Sequence, residues 1–181
     1  DFCLSRGLGD VYKRQTAGLC AERNIPILGL LDRPIAVAID GADEVAPDWA
    51  LIKGGGGALF REKSVALVAE RFVVIVTENK LVERLGAFPL PIEVVPFAAP
   101  FVAREVAAHL GVTPERRGGE APFVTDNGNY ILDCRFGTIP DPAELDERLR
   151  AIHGVVATGL FVDLTDEVLV AGADDVRTLS R

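Results

Sequence analysis

Histidine, cysteine and positive charge are all scarce in this chain. His109 and His153 stand far apart, with no close partner able to complete a ligand set, so no metal is expected. Cys3, Cys20 and Cys134 are odd in number and widely spaced, with no C-x-x-C pair. That pattern argues against a disulfide framework or a zinc site and in favour of free thiols. Acidic residues outnumber basic ones 27 to 19, a formal charge of -8, which speaks against a general nucleic-acid binder. The close arginine pair in an expected loop, Arg116-Arg117, reads as a solvated turn. No apolar run is long enough to cross a bilayer and no secretory leader is visible, so a cytoplasmic location and no membrane partner are expected. What remains, 181 residues at 49% apolar and 25% charged, suffices for a sizeable core in one large or two small domains.

Against this background one segment concentrates chemistry. Ile35-Ala-Val-Ala-Ile39 is an apolar run expected to form a parallel strand buried on both faces, and Asp40-Gly-Ala-Asp-Glu44 follows at its carboxyl end. Ligands of open α/β sheets bind outside the carboxyl ends of strands, which places Asp40 and Asp43 where chemistry is expected. Asp-Gly also favours plain turns. The glycine run at 54 to 57 narrows that choice, because four consecutive glycines are entropically costly to order and allow close approach of backbone amides to a ligand. Residues 58 to 71 then read as a helix whose amino end faces the loop and attracts anions. Lys53 precedes the glycines, and neither G-x-G-x-x-G nor a Walker-type phosphate loop is matched, so no nucleotide is inferred.

Glu62, early in that helix, is by itself an ordinary amino-terminal glutamate, paired with Arg61 or Lys63. Beside Asp40, Asp43 and Lys53 it becomes a candidate base. Carboxylates, an ammonium and free amides in one strand-loop-helix unit are the groups needed to move a proton next to a carbonyl.

The order D-G-A-D-E, K-G-G-G, R-E-K, then Asn79-Lys80 after an apolar strand and Phe88-Pro-Leu-Pro91, closely resembles the A-type ribose-5-phosphate isomerases. The resemblance runs from about Thr16 to the carboxyl end and takes in Val124-Thr-Asp-Asn-Gly-Asn129 and Gly154-Val-Val. Gly57 and Phe60 stand where the family often has Ala and Thr. The resemblance implies interconversion of ribose 5-phosphate and ribulose 5-phosphate without metal or organic cofactor, by an enzyme of carbohydrate metabolism that assembles as a homodimer or homotetramer. It implies Glu62 as proton acceptor and the segments Asp40, Gly41, Ala42 and Asp43, Lys53, Gly54, Gly55 and Gly56, and Lys80 as substrate-binding. The reaction passes through an enediolate, so one carboxylate can serve as base and then as acid, while Lys53 and loop amides meet the charge on oxygen. Asp40 and Asp43 would hold hydroxyls and assist ring opening.

The expected architecture is an α/β fold, a Rossmann-like parallel sheet domain with an inserted ferredoxin-like α+β domain. Residues 1 to 15 read as translated adapter sequence and are set apart as a non-native extension. Residues 16 to 90 with 164 to 181 form the Rossmann-like unit, from a helix end at 16 to 23 and strands at 25 to 29, 72 to 76 and 168 to 171, with a short helix at 80 to 85. Residues 91 to 163 run strand (92 to 95), helix (101 to 110), hairpin, helix (142 to 152) and strand (154 to 162), the ferredoxin-like order. In that hairpin Phe123-Val-Thr and Tyr130 to Cys134 flank Asp126-Asn-Gly-Asn129, whose Asp126 and Asn127 read as turn residues. The strand, G-T-G-S-T-like loop and helix that open the family's chains have no counterpart here, so weak substrate binding is expected. Two other readings stay open: a related sugar-phosphate isomerase or deaminase, and a sugar-phosphate-binding regulatory module without turnover.

Overall fold

The structure is a computed structural model, and it describes residues 20–26, 29–30, 34–173 and 175–180. The adapter-like segment 1 to 15, the first half of the helix end at 16 to 23 and the centre of the strand expected at 25 to 29 lie outside the described residues.

Parallel strands are built where β-branched residues run together. Phe72–Thr77 (β4) pairs in parallel with Ala38–Asp40 (β1) on one side and Glu167–Ala171 (β10) on the other. The sheet ends in an antiparallel strand, Val176–Ser180 (β11), which the sequence reading did not anticipate. Its core holds Ala38, Phe72, Val74, Val76, Val168 and Val170 together with Val65 and Ala66 from helix α1 (Leu59–Val68). Burial of β1 on both faces does not hold: Val37 is 46% and Ile39 51% exposed. Among the described residues β1 stands at the edge of the order β1-β4-β10-β11, and the face that carries Val37 and Ile39 is left partly open there.

A second antiparallel sheet has the order β6-β7-β5-β8, from Glu115–Arg116 (β6), Tyr130–Cys134 (β7), Leu90–Val94 (β5) and Val155–Thr158 (β8). Leu90, Ile92 and Val94 point to one face and pack with helices α2 (Ala99–Leu110) and α3 (Pro142–Arg150). Gly111, at φ 71, ends α2 in the left-handed conformation that glycine accepts without strain. Asp141 caps α3 by accepting from the Glu144 amide, and Pro142 occupies its first turn. On the opposite face of the sheet lie Ile131 and Ala157, against Leu59 at the start of α1. The amino end of α1 is thereby brought to the back of the antiparallel sheet.

Three expectations are corrected here. The hairpin partner of β7 is Glu115–Arg116, while Val124 makes a single bridge to Tyr130 because the intervening chain turns on Gly118, Gly119 and Gly128. The helix expected at 80 to 85 is replaced by a 3-10 turn, Glu78–Lys80, followed by a bridge between Leu81 and Val45. The last strand of the second unit is broken at Gly159, whose amide donates to Pro91 and whose carbonyl accepts from Lys53. Beyond it Leu160–Phe161 (β9) joins Glu44–Val45 (β2) and Leu51–Ile52 (β3) in a small sheet of order β2-β3-β9. This sheet folds the Asp40–Glu44 segment back beside Lys53.

Candidate active site

The carboxyl end of β1 delivers Asp40, and its neighbours fix it. One carboxylate oxygen accepts from the Gly41 amide at 2.8 Å, and the other lies 2.9 Å from Lys53 Nζ. Lys53 follows directly on β3 and is 3% exposed. Its ammonium also donates to the Gly41 carbonyl at 2.5 Å and stands 3.3 Å from a carboxylate oxygen of Glu62, itself 6% exposed. An ammonium has three donors, so these three acceptors satisfy it fully. That matters because a buried charge is costly unless paired and hydrogen-bonded. The Phe161 ring, 5.4 Å from Lys53 Nζ, adds an electron-rich face.

Glu62 reaches this cluster from the first turn of α1, where a carboxylate is favoured by the helix dipole. Its partner is Lys53, in place of the Arg61 or Lys63 expected from adjacency. Arg61 turns to the 126 to 129 turn and donates to the Asn127 side-chain carbonyl and the Asp126 backbone carbonyl. Lys63 donates to Thr158 Oγ1 at 3.3 Å and stands 3.7 Å from Asp146, with its ammonium 5.2 Å from the centre of the Phe161 ring. Burial holds its pKa below the ordinary lysine value, against the pull of Asp146.

Asp43 is brought to the glycine loop instead of to the ammonium. Its carboxylate accepts from the Gly55 amide at 2.8 Å, and a Cβ at Gly55 would come within 2.7 Å of it, so a side chain there would displace Asp43 from this bond. Gly54 and Gly57 adopt φ of +99 and +85, a second reason for the run of glycines. Gly56 is exposed, Ala42 half-buried, and Lys80 ends the 3-10 turn after β4, at the same carboxyl edge of the sheet as Asp40 and outside the bonded cluster around Lys53.

Several residues that sequence reading missed hold this assembly. Glu44, buried at 4%, accepts from the amides of Gly86 and Phe88 and ties the Asp40–Glu44 segment to the chain before β5. Arg117, read as solvated, is instead part-buried, doubly bonded to Asp133 and in contact with the carbonyls of Gly54 and Gly55. Asn127, read as a turn residue, bridges Arg61 to the fully buried Glu93, which also accepts from Thr125 and Asn129. Only the turn chemistry of the T-D-N-G-N run signalled that last group. The histidines stand elsewhere: His109 is exposed in α2 beside Glu105, and His153 is exposed in the turn after α3. Cys20 and Cys134 are buried free thiols, burial pushing Cys134 up to about 12. Cys3 lies outside the described residues. Among the described residues no group of three or more His, Cys, Asp and Glu is placed to hold a metal ion, and no helix is long and apolar enough to cross a membrane.

Comparison with known proteins adds an independent line. The profile of ribose 5-phosphate isomerase A (phosphoriboisomerase A) matches residues 13–175. Ribose-5-phosphate isomerase A 1 of Oceanobacillus iheyensis is 48% identical over 164 residues, covering 90% of this chain and 73% of that protein. Ribose-5-phosphate isomerase A of Roseiflexus castenholzii is 49% identical over 180 residues, 97% of this chain and 76% of that one. Among solved structures, ribose 5-phosphate isomerase A of Methanocaldococcus jannaschii superposes with a TM-score of 0.87 at 39% identity, over 94% of this chain and 76% of that one. A D-ribose-5-phosphate isomerase solved in complex with phospho-erythronic acid gives 0.90 at 40% identity, over 96% and 78%.

Proposed function

Because the chain belongs to the ribose 5-phosphate isomerase A family, we propose that the Asp40–Lys53–Glu62 cluster is where it interconverts D-ribose 5-phosphate and D-ribulose 5-phosphate. The observation that carries this reading is the buried Lys53 ammonium lying between the carboxylates of Asp40 and the buried Glu62, at 2.9 and 3.3 Å. The open-chain aldose offers its C2 proton to Glu62. The C2–H electron pair becomes the C1–C2 double bond, and the carbonyl electrons move onto O1. Lys53 and the loop amides meet that charge; removing one such donor costs about 10²–10³ in rate. A proton passes from the C2 hydroxyl to O1, and Glu62 returns its proton to C1 to give the ketose. Asp40 and Asp43 orient hydroxyls and assist ring opening, Gly41, Ala42 and Gly54 to Gly56 shape the pocket, and Lys80 supplies a cation at its edge for the phosphate. No metal or organic cofactor enters these steps.

The same proposal covers the domains. Residues 16 to 90 with 164 to 181 make a Rossmann-like catalytic domain, and 91 to 163 an inserted ferredoxin-like domain, supported by the strand order β6-β7-β5-β8 with its two helices. Assembly as a homodimer or homotetramer in the cytoplasm belongs to it as well. Phe97 at 97% exposure, with Val95 and Phe101 at 42% and 40%, is an apolar patch suited to contact between copies. Incubation with ribose 5-phosphate in heavy water tests the chemistry. Ribulose 5-phosphate carrying some solvent deuterium at C1 is expected, from exchange at the Glu62 carboxyl before the proton is returned, and the same rate of conversion and uptake in Glu62→Gln would reject proton transfer through that carboxylate.

A further inference from the structure

The glycine loop does not hold its shape alone, and what grips it comes from the other sheet. Arg117 Nε and Nη2 form a two-point pair with Asp133 of β7, at 2.9 and 2.6 Å. This leaves Nη1 to donate to the carbonyl oxygens of Gly54 and Gly55, at 3.0 and 3.1 Å. The fork is itself fixed. The Arg117 amide donates to Ile131, its carbonyl accepts from Phe123, and the Phe123 ring lies 5.8 Å from the guanidinium and covers Gly57. An arginine whose charge is matched by a bidentate carboxylate is poorly suited to capture a free anion. Its remaining donors are suited to hold neutral carbonyls in place.

The geometry of a trans peptide gives this grip a consequence. Its C=O and N–H point in opposite directions, so a carbonyl drawn to Arg117 turns the following amide away from Arg117. For the Gly54–Gly55 peptide the result is visible: the carbonyl meets Arg117 and the Gly55 amide meets Asp43. The Gly55–Gly56 peptide is held by its carbonyl in the same way, which aims the Gly56 amide away from Arg117. We infer that Arg117, braced by Asp133, is a positioning residue for the isomerase site: it fixes two successive peptide planes so that the Gly55 amide holds Asp43 and the Gly56 amide faces the substrate side of the loop. This rests on the reading of the loop as part of the reaction site, and it explains why the antiparallel sheet stands against α1 and the glycines. Arg117 touches no reacting atom; it acts through the loop.

Arg117→Lys separates this role from a purely structural one, because lysine keeps a positive charge beside Asp133 but has one nitrogen in place of the planar fork that reaches the carboxylate on one edge and the loop carbonyls on the other. In the full chain labelled with ¹⁵N-glycine, amide exchange of Gly55 measured by NMR is expected to quicken by about tenfold. With ribose 5-phosphate, kcat is expected to fall by about tenfold while KM stays within about threefold, since preorganised donors act on the transition state. Asp133→Asn, which keeps the shape and loses the charge, is expected to show a smaller change in the same direction and serves if the lysine variant does not fold. Unchanged Gly55 exchange overturns the inference, as does a KM rise with kcat intact. A wild-type chain with no turnover counts against the isomerase reading alone, since the exchange experiment still decides whether Arg117 holds the loop.

Discussion

Two buried glutamates sit on either side of Arg61 and behave as opposites. Glu62, 6% exposed, faces the Lys53 ammonium. Glu93, fully buried, forms no ion pair among the described residues: one oxygen accepts from Thr125 Oγ1 and from the side-chain amides of Asn127 and Asn129, each at 2.9 Å, and the other oxygen has no hydrogen-bond partner among them. Burial alone therefore does not mark a catalytic carboxylate. An adjacent positive charge, placed to stabilise charge as it develops on a substrate, marks Glu62 as reactive. A set of neutral donors delivered by a turn marks Glu93 as a fastener. Asn127 joins the two regions, since it bonds Glu93 on one side and Arg61, the neighbour of Glu62, on the other.

The comparison is broken most severely by removing the cation from one side only. Lys53→Met is expected to lower kcat by about 10²–10³, because the developing oxyanion loses its charged partner, and to leave the Glu93 network intact. Steady-state kinetics beside the amide spectrum of residues 125 to 129 checks both halves. A smaller effect comes from Lys63, the second lysine at Phe161. Its folded pKa is lowered by burial, so the unfolded chain binds more protons in the alkaline range below the ordinary lysine value of 10.5. The contribution of this group to stability therefore rises with pH through that window. Lys63→Met should flatten that part of the profile, measured by urea unfolding of both proteins between about pH 8 and pH 10.

How much of this was legible in the sequence follows from distance along the chain. Asp40, Lys53 and Glu62 fall within one strand-loop-helix unit, so local spacing and residue type were enough to group them. The parallel strands at 72 to 77 and 167 to 171 were legible because runs of β-branched residues suit only a buried strand. Arg117 was not, because its loop partner Gly54 lies 63 residues away, and Arg61 lies 66 residues from Asn127. The strands of the small sheet have two residues each, too few for any periodicity to show. Ile39 misled for a different reason: an apolar run signals a strand, but not whether that strand ends at the edge of a sheet.

The most direct test sets the two glutamates side by side. Glu62→Gln and Glu93→Gln are each measured for turnover of ribose 5-phosphate and for unfolding free energy. Glu62→Gln should lose at least about a thousandfold in kcat, having no carboxylate to take the proton, with stability nearly kept. Glu93→Gln places amide donors at the buried position where Oε2 has no hydrogen-bond partner, so it should lose about 1–3 kcal/mol of stability with turnover largely kept. Full turnover in Glu62→Gln, or the reverse pattern between the two variants, would contradict the assignment of the proton shuttle to Glu62.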